Sequence, residues 1–352
     1  MVELSLSSWQ GMRARDPRRL TLGSAQWGMP YGIANRTGPP SSDELAELLR
    51  VARDAGIRSI DTARAYGESE VRVGRALAQH ADWRVVTKLA PDVDAPGLEL
   101  SENLGRVAAS LAQSRAALGV ESIPALLLHR FAHRHAFGGK LWRLLLAERD
   151  AGRIVQLGVS AATPEEAWAA LDDPDIEILQ VATSLLDLRL HRQGFFPRAR
   201  EAGRTVYVRS VYLQGIAHLG SSRLPSALAE LSGALRTIEG FAAELGVKPR
   251  TLYLAFVREL PGVHPVLGCE TADQLAQLLR DWEDEAVDGA LLAALVDRLP
   301  TAPAALVDPS VWPAGEGSGA GARVSERGGG TGTGAGEVAA RSVSGTGPAW
   351  IG

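Results

Sequence analysis

A single cysteine, Cys269, stands among 352 residues, which rules out an internal disulfide and points to a reducing, cytoplasmic setting. An excess of charge is lacking as well. Thirty-seven basic and 41 acidic residues leave a net charge of −4, so the chain carries no electrostatic footprint for nucleic acid or for an anionic membrane. No stretch approaches the roughly 18 apolar residues of a membrane helix. Met1 to Leu20 holds Arg13, Arg15, Arg18 and Arg19 but no apolar run of signal-peptide length, and Met12 is an alternative start. Finally, no G-x-G-x-x-G follows any of the early apolar runs. That disfavours a doubly wound dinucleotide fold, the architectural runner-up, and requires any nucleotide to be held by other means.

What the chain does have is a rhythm. From Arg19 onward, short apolar runs alternate with amphipathic segments, as in β-α units that build a parallel sheet. Eight runs are counted: Leu20–Ser24, Arg58–Asp61, Arg84–Leu89, Ala125–His129, Val155–Ser160, Ile176–Ala182, Val206–Val211 and Val263–Leu267. Most are rich in Val, Ile and Leu without strict alternation, as strands buried on both faces are. Helix starts are marked by Ser41-Ser42-Asp43-Glu44 and Thr163-Pro164-Glu165-Glu166, and helix ends by Gly56, Gly119, Gly152, Gly203 and Gly246. The expectation is an α/β fold, a (β/α)8 TIM barrel forming a single domain over residues 19–300 after an N-terminal extension, 1–18. The interval Leu213 to Gly262 should cover the barrel mouth, with a loop from Gly215 to Pro225 and helices over Ser226–Leu245 and Pro249–Glu259. Leu291, Leu292, Leu295 and Val296 form one further helical stripe. Residues 314–352 hold 13 of the 38 glycines and almost nothing apolar, and read as a disordered tail.

In such a barrel, residues at the C-terminal ends of the strands converge on one face. Asp61 ends the second run, Lys88 lies at the end of V-V-T-K, and His129 closes A-L-L-L-H. Tyr66 follows Asp61 on the loop before the next helix. A free phenol titrates near 10, about three units too high for ready proton exchange at pH 7, and an adjacent ammonium favours the phenolate. Lys88 would supply that charge, with Asp61 keeping the ammonium ionised.

The stretch S-I-D-T-A-R-A-Y-G-E-S-E over 59–70 resembles the aldo-keto reductase signature D-T-A-x-x-Y-G-x-S-E residue for residue, at Asp61, Thr62, Ala63, Tyr66, Gly67, Ser69 and Glu70. The resemblance extends from about Arg19 to Leu279. It implies a catalytic tetrad of Asp61, Tyr66, Lys88 and His129 and a reduced nicotinamide cofactor, NADP or NAD. It implies that Ser160 and Gln180 hold the carboxamide, with Ala161 where Asn is usual, and that Arg209, followed by Ser210, stands in place of the aromatic residue stacked on the nicotinamide. It further assigns Leu213-Gln214-Gly215 to the pyrophosphate, and Gly268, Thr271, Gln274 and Gln277 to the adenosine end. A Lys and an Arg commonly clamp the 2′-phosphate there, whereas this chain has Gly268 and Gln274 with Glu270 nearby, which implies use of both NADPH and NADH. Gln26 and Trp27 match the family's Thr-Trp after the first strand, so that Trp27 would wall the substrate pocket. Tyr31, Arg130, Phe131, Arg189 and Tyr212 are candidates for the rest of the lining. The implied activity is reduction of an aldehyde or ketone, on a sugar, a sugar nucleotide or a specialised metabolite, as L-G-S-A-Q-W-G-M-P-Y-G-I-A-N-R-T-G and V-R-S-V-Y-L-Q-G resemble a bacterial branch of the family. The competing class is a cofactor-binding regulatory subunit, as in the potassium-channel β subunits.

Overall fold

A computed structural model describes residues 14–32, 35, 38–78, 80, 82–94 and 97–312. The expected tail, 314–352, and most of the expected N-terminal extension lie outside them. The chain begins with β1 (Thr21–Gly23), α1 (Ala25–Gly28), α2 (Ser42–Asp54), β2 (Ser59–Asp61), α3 (Ser69–Leu77), β3 (Arg84–Lys88) and α4 (Leu100–Leu118). It continues through β4 (Ile123–Leu128), α5 (Ala136–Asp150), β5 (Ile154–Ser160), α6 (Pro164–Asp172), β6 (Ile178–Ala182), α7 (Arg189–Arg192), α8 (Phe195–Glu201) and β7 (Thr205–Arg209). A 3-10 turn at Leu213–Gly215 leads into α9 (Ile216–Leu219), a second at Ser226–Leu231 into α10 (Ser232–Leu245), and then come α11 (Pro249–Glu259) and β8 (Val263–Gly268). After β8 follow α12 (Ala272–Glu283), α13 (Gly289–Arg298) and α14 (Ala304–Val307).

All eight strands are parallel and close in sequence order, β8 pairing with β1 through Leu22↔Leu267 and Gly23↔Gly268, so the expected (β/α)8 barrel is the fold. Local chemistry explains the element ends. Ser41 and Glu44 form a reciprocal capping box at the start of α2, and Thr163 accepts a hydrogen bond from the Glu166 amide at the start of α6. Gly119 and Gly246 close α4 and α10 in the left-handed conformation. The barrel interior is filled by Val86, Ala125, Leu127, Ile178, Tyr207 and Val266. Below this plug, at the N-terminal ends of the strands, Arg84 donates to Tyr207 Oη at 3.0 Å and to Gln156 Oε1. The side chains of the plug are all buried, and in such a barrel the reacting groups gather at the strands' C-terminal ends.

Strand limits differ from the expectation by two residues at three points and by at most one residue elsewhere. β4 starts at Ile123, with Pro124 accommodated inside it, and β6 starts only at Ile178. β7 stops at Arg209 rather than at Val211, because Ser210 takes a left-handed backbone conformation, φ 63°, which no strand continues through.

Candidate active site

The register places four polar side chains on one rim. Asp61 is the last residue of β2 and pairs with Val86, Lys88 is the last of β3 and pairs with Leu127, and His129 follows the last residue of β4. Lys88 is 1% exposed, and its ammonium donates to both carboxylate oxygens of Asp61 at 2.7 Å, to the Thr62 carbonyl at 3.1 Å and to Tyr66 Oη at 3.4 Å. The ring of Tyr66 meets that of His129 edge-on, centroids 6.2 Å apart. Asp61, Tyr66, Lys88 and His129 are thus brought together, as the sequence predicts.

The rest of the 59–70 stretch builds the frame. Gly28 and Gly67 bring two backbones into contact: a Cβ on Gly28 would strike the Tyr66 carbonyl and the Ser69 amide, and one on Gly67 would strike the Gly28 carbonyl. Gly67 also has φ 56°, a conformation that glycine adopts at little cost. Ser24 Oγ donates to the Asp61 carbonyl at 2.8 Å and Thr62 Oγ1 to Ser69 Oγ at 2.9 Å, tying the end of β1, the end of β2 and the start of α3 together. Glu70, 1% exposed, accepts from Thr87 Oγ1 at 2.6 Å and pairs with Arg64. These supporting roles of Ser24, Thr87 and Glu70 are absent from the sequence reading. Their signal was a hydroxyl within an apolar strand, Thr87, or just past one, Ser24.

Burial sets the protonation states. The pKa of Tyr66 is raised above the ordinary tyrosine value, by desolvation first and by the Asp61 carboxylate second, with Arg209 as the opposing cation. The direction is opposite to the depression expected from Lys88, because desolvation and the Asp61 carboxylate outweigh the neighbouring cations. The pKa of Lys88 is lowered by desolvation, against which Asp61 acts. His129 is pushed down to about 3, by desolvation and then by the charges of Lys88, Arg209 and Arg130, so its imidazole is neutral. Its Nδ1 is buried and has no hydrogen-bond partner among the described residues.

The expected cofactor residues divide into two groups. Gln180 donates to Asp61 Oδ1 at 2.7 Å, and its Oε1 is buried without a partner among the described residues. Ser160, 7% exposed, pairs with Gln180 across β5 and β6. Arg209 at the end of β7 donates to Ala161 O and to Ser210 Oγ, both at 3.3 Å, and so reaches the position where the resemblance expected Asn. Ser210, Leu213 and Gln214 all have positive φ, as does Gly215. Such non-glycine residues cost about 1–3 kcal/mol each and cluster at ligand clamps. Gln214 Nε2 reaches across the mouth to Tyr31 Oη at 3.4 Å.

At the β8–α12 end several side chains turn inward instead. Gly268 lies so close to the Gln26 side-chain amide that a Cβ would collide with it, and the two pack β8 against α1. Gln274, 3% exposed, accepts from the Glu270 amide at 2.7 Å, and Thr271 caps α12 by accepting from the Gln274 amide. Gln277 donates to Asp281, which also pairs with Arg250. Trp27 also turns inward. It is wholly buried and donates its indole N–H to the Cys269 carbonyl at 2.8 Å, so it belongs to the core and presents no surface to a substrate. Tyr31 lies beside Tyr66, whereas Arg130 is exposed just past His129. Phe131 is half-buried in a 3-10 turn, Arg189 pairs with Asp187, and Tyr212 is buried against His218 and Tyr253.

Comparison with known proteins bears on the family and the fold. The family model "Aldo/keto reductase family" matches residues 19–288. A 6-dehydroglucose reductase of Novosphingobium aromaticivorans is 26% identical over 295 residues, which is 78% of this chain and 92% of that protein. A D-threo-aldose 1-dehydrogenase of a Pseudomonas species is 29% identical over 201 residues, 49% of this chain and 61% of that one. Among solved structures, a glycerol dehydrogenase of Gluconobacter oxydans superposes with a TM-score of 0.61 at 22% identity, covering 81% of this chain and 93% of its own. An aldo/keto reductase of Klebsiella pneumoniae, solved with NADP and acetate, gives 0.59 at 20% identity, with 81% and 92% covered. Matched over most of its length and carrying the four polar residues on one barrel rim, the chain belongs to the aldo/keto reductase family of NAD(P)-dependent oxidoreductases.

Proposed function

We propose that this chain reduces the carbonyl of a sugar or a sugar-like polyhydroxy compound, with Tyr66 as the general acid. The observation that carries this reading is the Lys88 ammonium held between Asp61 at 2.7 Å and Tyr66 Oη at 3.4 Å, beside a neutral His129. The family's cofactor, NADPH or NADH, fits the residues present: the unpartnered Gln180 Oε1 is an acceptor suited to a carboxamide N–H, with Ser160 beside it. Arg209 offers a planar guanidinium to a nicotinamide face, and 210–215 offers strained backbone to a pyrophosphate. When bound, the cofactor supplies the hydride.

The chain's own groups do the rest. Tyr66, its pKa raised, keeps its proton until the substrate oxygen gains negative charge, and then donates it. Lys88 stabilises the phenolate left behind, and Asp61 holds Lys88 in place with its charge intact. His129, neutral, donates a hydrogen bond that orients the substrate oxygen without competing as an acid. A sugar-like substrate is supported by the named activities of the two curated relatives, a 6-dehydroglucose reductase and an aldose dehydrogenase. The test is Tyr66→Phe. Reduction of keto sugars at saturating cofactor should fall by about two to four orders of magnitude while cofactor affinity is kept, and rates within threefold of the parent would remove Tyr66 from the acid role.

A further inference from the structure

On the outer wall of the barrel, α2 packs closely on α12 but only sparsely on α3. The seam between α2 and α3 is a cleft of about 520 Å³, open to solvent and lined by none of the four tetrad residues. Its floor is apolar, formed by Leu45, Leu49 and Trp83, whose side chains are buried at 3%, 7% and 7% exposure.

The walls are cationic. Arg50, Arg53, Arg72 and Arg75 all line the cleft, against a single carboxylate, Glu68. Arg50 is neutralised by Glu47 and Asp54 at 2.7 Å each. The other three have no such relief, for no carboxylate among the described residues lies within ion-pair distance of Arg53, Arg72 or Arg75. Arg72 is bound only to backbone carbonyls, those of Trp27 and Pro40. Arg53 Nη1 lies 3.4 Å from His80 Nε2, a contact to which the guanidinium can only donate, and no carboxylate takes part in it. Three guanidiniums against one carboxylate leave a local excess of about two positive charges over an apolar floor. Guanidinium forks match the oxygens of a phosphate, and a floor of two leucines and a tryptophan matches a planar or aliphatic body.

From this juxtaposition we infer a second, non-catalytic binding site in the α2–α3 seam for a small phosphomonoester with a planar apolar body, its phosphate on Arg53 and Arg75 and its body on Leu45, Leu49 and Trp83. Arg72 connects the site to the catalytic frame, since it hydrogen-bonds the Trp27 carbonyl at 2.6 Å, one residue from the Gly28–Gly67 contact that places Tyr66. Glu68, on the same wall, follows Gly67 directly.

The probe is 1-naphthyl phosphate, titrated by calorimetry into the full chain saturated with NADPH, so that the nucleotide occupies the barrel mouth. One site per chain is expected, with a dissociation constant on the order of 100 µM. Inorganic phosphate and 1-naphthol should each bind at least tenfold more weakly, because each satisfies only half of the cleft. The double variant Arg53→Gln with Arg75→Gln should lose at least tenfold in affinity while its thermal midpoint and its basal carbonyl reduction stay unchanged. Arg75→Glu alone, at an exposed position, should give the same loss if the double variant folds poorly. Binding that survives both variants, or no binding at 1 mM probe, overturns the site. Equal binding of inorganic phosphate overturns the role of the apolar floor.

Discussion

Tyr66 is placed by what surrounds it rather than by its own contacts. The phenol has one hydrogen-bond partner in the tetrad, Lys88, but its backbone is pinned where Gly28 and Gly67 touch. A methyl group on Gly28 would meet the Tyr66 carbonyl and the Ser69 amide, neither of which can yield without moving the loop. Gly28→Ala is therefore expected to cost about 1–3 kcal/mol of stability through overpacking. Displacing the phenol by about 1 Å should lower the reduction rate by about a hundredfold. Thermal unfolding and steady-state rates on the same preparation check both, and a rate within twofold of the parent would show that this contact does not aim Tyr66. The same scale explains why the pKa shift of Tyr66 ran against expectation. A sequence places Lys88 and Asp61 on neighbouring strands but does not say how the ammonium divides its bonds, and in the structure it gives its shortest two to Asp61. Trp27 was misplaced for a related reason, since an indole after a strand looks the same in sequence whether its N–H finds water or the Cys269 carbonyl.

Among the elements, the eight strands and most helix ends were legible because each has a local cause: apolar runs of strand length, serine and threonine caps, and glycines at positive φ. The β8–α12 junction was less so, because which face of a turn looks outward is decided by packing. Gly268 and Gln274 face inward, Gln277 and Arg250 share Asp281, and the remaining ionisable group of the turn itself is Glu270. Its carboxyl is 3% exposed and is raised to about 7, chiefly by desolvation. If the adenosine end of the cofactor lies here, as the family resemblance implies, Glu270 is neutral at pH 6 and anionic at pH 8, where it repels a 2′-phosphate. NADPH and NADH should then bind within about tenfold of each other at pH 6, and NADPH should lose affinity relative to NADH as the pH rises through 7. Glu270→Gln should flatten most of that trend, the remainder coming from the phosphate's own ionisation near pH 6. Fluorescence titration of both nucleotides at the two pH values measures it. A preference for NADPH above about a hundredfold at pH 8 would mean that a cation outside this turn reaches the phosphate.

At the scale of the whole molecule, the question is which residues the barrel needs in order to stand. Closure is complete when β8 pairs with β1, and no strand outside Thr21 to Gly268 takes part in the ring. The helices after β8 have internal work of their own. Trp282 of α12 is wholly buried, and its carbonyl accepts from the buried Arg258 guanidinium, as do those of Asp284 and Val287. Leu292 and Leu295 of α13 and Val307 of α14 are buried in the main core. Removing any of these helices would leave apolar surface and paired carbonyls exposed, at roughly 25 cal/mol per Å² of apolar area alone. Residues 314–352 are different in composition: 13 glycines, no leucine or phenylalanine, and a single tryptophan near the end offer little that could be buried against such a wall. A chain ending at Pro313 is therefore expected to keep the full carbonyl-reductase rate and to unfold within about 5 °C of the full chain. A larger drop, corresponding to roughly 1 kcal/mol or more, would show that the glycine-rich segment docks on the barrel and contributes to its stability.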